Sequence, residues 1–155
     1  MSFREIVSGA IDKAANSFAG NNTGGAPVMM MLGGFKFSIS TAVFQEVQRT
    51  TSWRWPAQER VGQFDALQFT GPGDDRVTFP GTIYPDFRGG TGQVEDLRRI
   101  ANAGKPVRLI SAAGAILGLW VIESIDETAS NFKPDGAPRR QDFTVTIRKF
   151  GNADV

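Results

Sequence analysis

The chain of 155 residues predicts an α+β domain dominated by antiparallel sheet, a curved sheet or small barrel with one packed helix. Three observations predict it: period-two apolar alternation recurs from Val28 to the C-terminal region, a single internal segment has helical period, and Gly/Pro-rich turns punctuate the rest. An amphipathic helix on a flexible tether precedes that domain.

Phe3, Ile6, Val7, Ala10, Ile11, Ala14, Ala15 and Phe18 fall on one continuous stripe at helical spacing. Ser2 and Glu5 form a capping box, and Gly20 is a stop signal. Residues 1–19 therefore form one unit, residues 20–27 (GNNTGGAP) a Gly/Asn-rich linker, and residues 28–155 the main domain. The stripe can pack on its own domain or dock on another subunit, because helices this short are marginal alone. Its polar face lacks the lysine and arginine density of a membrane-surface helix.

In the main domain, Met29, Met31, Phe35, Phe37 and Ile39 alternate around a break at Gly33-Gly34. Residues 44–55 form a second extended stretch, with Trp53 and Trp55 on one face, closed by Pro56. Residues 64–70 form a third strand candidate, ending in a turn at residues 71–75 (GPGDD). Residues 76–84 form a fourth, with Val77 and Phe79 apolar and Pro80 requiring an edge or a break. The internal helix starts after Thr91, carries Glu95 and Asp96 early, buries Val94, Leu97, Ile100 and Ala101, and ends at Gly104 before Pro106. Residues 107–111 and 116–123 read as a hairpin around Ala113-Gly114. Residues 133–140 (KPDGAPRR) form a loop, and Phe143, Val145 and Ile147 mark the last strand.

Composition excludes several chemistries. The chain has no cysteine, so disulfides, thiolate metal sites and cysteine nucleophiles are ruled out, and a reducing cytosol suits it. It has no histidine, the commonest general base and transition-metal ligand. A net charge of +1 supplies no electrostatic footprint for nucleic acid. The longest apolar run, residues 112–122, is about half of the roughly 20 residues that a membrane helix needs. The N-terminus has no apolar signal core. Neither nucleic acid nor membrane is expected as a partner, and no cofactor.

Three carboxylate groups are candidates for acid–base or metal chemistry: Asp74-Asp75, Glu95-Asp96, and Glu123 with Asp126 and Glu127. The first sits in an expected turn and the second in a helix's first turn, where acids are favoured structurally. The third lacks a supporting ligand motif. Glycine-rich segments match no phosphate loop, and Gly89-Gly90-Thr91-Gly92 is only a generic helix N-terminus. Catalytic, metal and cofactor residues are expected to be absent. Trp53 and Trp55 read first as core. The alternative is a subunit interface, where tryptophan and arginine are enriched, with Arg54, Arg60, Arg139 and Arg140 as companions.

Several segments resemble the tail protein U family of contractile-tailed bacteriophages. They are Arg54-Trp55-Pro56, Arg60-Val61-Gly62, Asp65-Ala66-Leu67-Gln68-Phe69 and Gly81-Thr82-Ile83-Tyr84-Pro85. Leu97-Arg98-Arg99 with Gly104-Lys105, then Val121-Ile122-Glu123-Ser124-Ile125, follow in order. Asp135-Gly136-Ala137-Pro138-Arg139-Arg140 and Asp142-Phe143-Thr144 complete the series. The resemblance covers roughly residues 29–150 and leaves the N-terminal stripe outside it. It implies a non-catalytic structural protein of the virion tail, assembled in the host cytoplasm and placed in the baseplate around the central hub or tube. The implied partners are hub, tube, sheath or wedge subunits and copies of itself. Expected interface residues are Phe3, Ile6, Val7, Ile11 and Phe18 of the stripe, Trp53 and Trp55, and Asp135, Arg139 and Arg140. Two other classes stay open: a soluble module that holds a peptide or glycan on its aromatic strand, and a hydrolase using Glu123 with Asp126 or Glu127.

Overall fold

The computed structural model describes residues 28–38, 43–44, 46–86 and 92–151. The N-terminal stripe, its linker and Thr91 lie outside the described residues.

The order of elements is β1 (Val28–Leu32), β2 (Phe35–Ser38), β3 (Val43–Phe44), β4 (Gln48–Arg54), β5 (Ala57–Gln58), β6 (Ala66–Leu67) and β7 (Gly71–Ile83), then α1 (Gln93–Asn102), β8 (Val107–Ser111), β9 (Ile116–Phe132) and β10 (Pro138–Lys149). Eight strands form one antiparallel sheet in the order β2-β1-β8-β9-β10-β7-β3, with β4 also paired to β7; β5 and β6 form a separate ribbon.

Alternation sets the two faces of this sheet. On β10, Phe143, Val145 and Ile147 are buried, while Thr144, Thr146 and Arg148 are half-exposed on the other side, as the pattern requires. Val77, Phe79 and Ile83 of β7 join them, with Trp120 of β9, Leu109 of β8, and Met30, Leu32, Phe35 and Phe37 of the first hairpin. Phe37 and Phe79 stack with ring centroids 5.8 Å apart, although β2 and β7 lie at distant positions in the strand order. The sheet therefore curls around its core. It does not close: among the described residues no ladder joins β2 to β3 or β4, so the expectation of a small barrel gives way to an open curved sheet.

The helix lies against the concave side, burying Val94 and Leu97, with Ile100 partly buried beside them. Its N-cap is Gly92, without a side-chain cap, and the turn after it ends at Gly104, whose φ of +64° suits glycine. Glu95 pairs with Arg98 and Asp96 with Arg99, one turn apart. Arg98 also reaches Glu127 on β9 at 2.8 Å, tying the helix to the sheet.

Three expectations are corrected here. Residues 71–75 are not a turn but the first residues of the 13-residue strand β7. Three local features let such a sequence extend. Gly73 allows close approach to β4, since an added Cβ would lie 2.5 Å from Ser52 Oγ. Ser52 Oγ accepts the Asp74 N–H at 2.8 Å, at the bulge between Thr51 and Trp53. Gly71 takes φ +119°. Second, the extended stretch at residues 44–55 divides into β3 and β4, and the third strand candidate shrinks to Ala66–Leu67. The division leaves Pro80 opposite the gap between them, since Phe44 pairs with Gly81 and Gln48 with Thr78. Third, the turn before the last strand spans residues 133–137, and Pro138, Arg139 and Arg140 already belong to β10. There Lys133 N–H donates to the Ala137 carbonyl at 2.8 Å, and Asp135 accepts the Ala137 N–H at 3.0 Å.

Candidate interaction surface

Beyond Gly71 the β4–β7 pair continues as a two-stranded arm. Arg54 pairs with Gly71, the Thr70 N–H donates to the Arg54 carbonyl at 3.0 Å, and the Gln68 N–H donates to the Pro56 carbonyl at 3.2 Å. Ala57 then pairs with Leu67 and Gln58 with Ala66, before a tip at residues 59–65. At its base Asp75 receives both Arg49 Nε at 2.7 Å and Arg49 Nη2 at 2.5 Å, which raises the arginine's pKa.

Along this arm residues two apart share a face. Trp53 and Trp55 share one face of their strand, and Trp55 lies across from Phe69, with ring centroids 5.0 Å apart and planes at 52°. Trp53, Trp55 and Phe69 line one shallow surface, and Leu67 continues it toward the tip. The expectation that the tryptophans are core is overturned: Trp53 is 60% exposed and Trp55 54%. Among the described residues this two-stranded ribbon has no second layer for its apolar side chains to pack against. Val61 and Phe64 at the tip and Leu67 on the shaft are exposed as well. A contiguous apolar patch of this kind on a folded protein marks an interaction surface.

Asp135, Arg139 and Arg140 lie elsewhere. The turn carrying Asp135, and Arg139 and Arg140 after it, sit where β10 begins, alongside Ile83 at the far end of β7. That is about 40 Å along the strand from Gly71 at ~3.3 Å per residue, so the structure does not bring the two groups together. Asp135 is engaged by its own turn. Arg139 is exposed, and Arg140 pairs with Asp142 at 3.0 Å. The Thr82 hydroxyl donates to Asp142 at 2.7 Å, and with Arg140 it holds this carboxyl below its ordinary range.

The candidate acids do not converge. Glu123 receives Arg76 Nε at 3.0 Å and Arg148 Nη1 at 3.3 Å, and Asp74 is shared by the same two arginines. Glu127 is held by Arg98 and by Gln141 Nε2 at 3.0 Å. Asp126, opposite Thr144, projects from the face of β9 away from Glu127, the face on which Glu123 meets Arg148. Asp74 and Glu123 are counter-ions to arginines of the sheet, and Glu127 to an arginine of the helix. No three acids among the described residues are grouped so as to hold a metal ion, and no helix among them is long and apolar enough to cross a membrane.

The described residues form an open antiparallel sheet with one helix against it and a projecting ribbon of exposed apolar residues. The family model Phage P2 GpU matches residues 33–152, and the chain belongs to this family of phage tail-related structural proteins. A chain in the virion of a native gene transfer agent particle shares the fold, with a TM-score of 0.52 and 14% identity over 84% of this chain and 95% of that one. A chain in the tail of an empty gene transfer agent particle aligns with a TM-score of 0.47 and 14% identity, over 84% of this chain and 96% of that one. A probable tape measure protein of Halomonas phage phiHAP-1 is 22% identical over 117 residues, 75% of this chain. This chain spans only 13% of that protein's length.

Proposed function

We propose that the chain is a non-catalytic structural subunit of a contractile phage tail. In this reading it sits in the baseplate around the central hub or tube and links it to surrounding baseplate or sheath components, with hub, tube, sheath or wedge subunits and copies of itself as partners. The observation that carries the reading is the aromatic arm, joined to membership of the Phage P2 GpU family. Its mechanism is mechanical: the arm is a lever of paired backbone, and burial of Trp53 and Trp55 by a neighbour anchors it. Each buried aromatic contributes on the order of 2 kcal/mol. The stripe of Phe3, Ile6, Val7, Ile11 and Phe18 supplies a second contact in the assembled tail, and Asp135, Arg139 and Arg140 a polar one at the opposite end of the sheet.

Antibody labelling of purified tails by electron microscopy tests the placement. Label confined to the tail end away from the head is expected. Label along the whole tail, or at the head-proximal end, would contradict the baseplate assignment.

One observation favours a second reading. Exposed, co-facial Trp53, Trp55 and Phe69 also suit stacking on a sugar ring or an extended peptide. That reading requires a soluble ligand that quenches or shifts arm tryptophan fluorescence in a glycan or peptide screen, from a chain that is never incorporated into particles.

A further inference from the structure

The arm presents an exposed apolar face, and the apolar stripe expected over residues 3–18 precedes the sheet in the sequence. We infer that in the free, unassembled subunit the stripe folds back onto the arm of its own chain, so that each shields the other until assembly exchanges this contact for neighbours.

Sheet topology places the two within reach. Each ladder from β1 through β8, β9 and β10 to β7 is antiparallel. Val28 therefore begins β1 on the side where β8 ends, β9 begins, β10 ends and β7 begins, which is the side from which the arm projects. Four strand spacings separate β1 from β7, about 19 Å along the sheet and less across its curl. Residues 19–27 can span at most about 30 Å when extended, and as a Gly-rich coil they average roughly 16 Å. The lengths also correspond. As a helix the stripe runs about 23 Å from Phe3 to Phe18. The arm face from Trp53 to Gln58 runs about 17 Å before the tip, where Val61 and Phe64 extend it. A tether this short holds the stripe at an effective concentration in the millimolar range. That favours its own arm over another chain's at the concentrations of a free subunit.

The three tryptophans make the contact readable. Trp120 is 1% exposed, whereas Trp53 and Trp55 are open on the arm, so acrylamide quenching reports the arm. In the full-length chain, Ile11→Asp should make the tryptophan emission more quenchable and shift it to the red. Superimposable quenching curves for the parent and the variant would overturn the inference. Because the chain has no cysteine, the double variant Ile11→Cys/Leu67→Cys carries the only two thiols. Oxidised at high dilution, it should give a single-chain species of increased gel mobility that reverts on reduction. Bridging only between chains would mean that a second copy covers the arm, and no bridging would mean that the stripe does not visit it. Either result overturns the proposal. Both measurements use the isolated protein, so they can fail while the tail assignment stands, and the reverse.

Discussion

Gly73 shows how a single missing methyl group sets the course of the chain. It lies where β7 runs against Ser52 of β4, and a side chain there would press on Ser52 Oγ at 2.5 Å and on the Ser52 carbonyl group at 3.2 Å. Gly73→Ala should therefore cost about 1–3 kcal/mol, the usual penalty of overpacking, read as a lower denaturation midpoint. Gly34, with open space around its missing Cβ, is the control and should tolerate alanine. A midpoint unchanged in Gly73→Ala would contradict the close approach. Asp142 offers a second test at this scale, because the Thr82 hydroxyl and then Arg140 hold its carboxyl below the ordinary value. Such a group stabilises the fold above its unfolded pKa of about 3.9 and ceases to do so as pH falls through its lower folded value. The stability gap between the parent and Asp142→Asn should be present at neutral pH and shrink in acid below that range. A gap independent of pH would remove the carboxylate from the account. The side chain is well exposed, so solvent screening keeps the effect small.

Among the elements, α1 and the arm make opposite contributions. Leu97 is fully buried between helix and sheet, and Leu97→Ala should cost about 2–5 kcal/mol in denaturant unfolding. The arm adds almost nothing to the body's core, so Trp53→Asp with Trp55→Asp should leave that core intact, at a cost no larger than the loss of the contact between the arm and residues 3–18. The same double variant should fail to enter tails when it replaces the parent protein in infected cells, measured by immunoblot of purified particles. Normal incorporation would show that the arm is not the anchor. These two elements also differ in how plainly the sequence announces them. The helix has a local signature, with apolar residues at helical period, early acids and a glycine at its end, and the last strand is equally plain from Phe143 to Ile147. The arm is not local. Its strands pair across some 20 residues of sequence, with Ser52 fitting against Gly73, and part of the pairing segment, GPGDD, has the composition of a turn. Alternation places Trp53 and Trp55 on one face but does not say whether anything covers that face. Their exposure therefore emerges only when the ribbon is seen to lack a second layer.

For the molecule as a whole, the curled sheet accounts for where partners can bind. Its concave side is filled by α1 and the core. The other side of β7, β9 and β10 carries Arg76, Arg148, Glu123 and Asp74 in a mutually neutralising cluster that offers little apolar adhesion. The exposed aromatic arm lies at one end of a long ladder, with the Asp135 turn at the other. A subunit with contacts at both ends and a rigid sheet between them suits transmission of force along a tail. The resemblance of residues 29–150 to tail proteins is visible in the sequence and agrees with the family match over residues 33–152, whereas the open sheet and the projecting arm required the fold. The measurement that bears most directly on the central claim is a cryo-electron microscopy reconstruction of intact contractile tails from the source phage. The account predicts density for this chain beside the central hub or tube at the baseplate, with Trp53 and Trp55 buried against a different chain. Tails that lack the chain, or that hold it with the aromatic arm open to solvent, would contradict it.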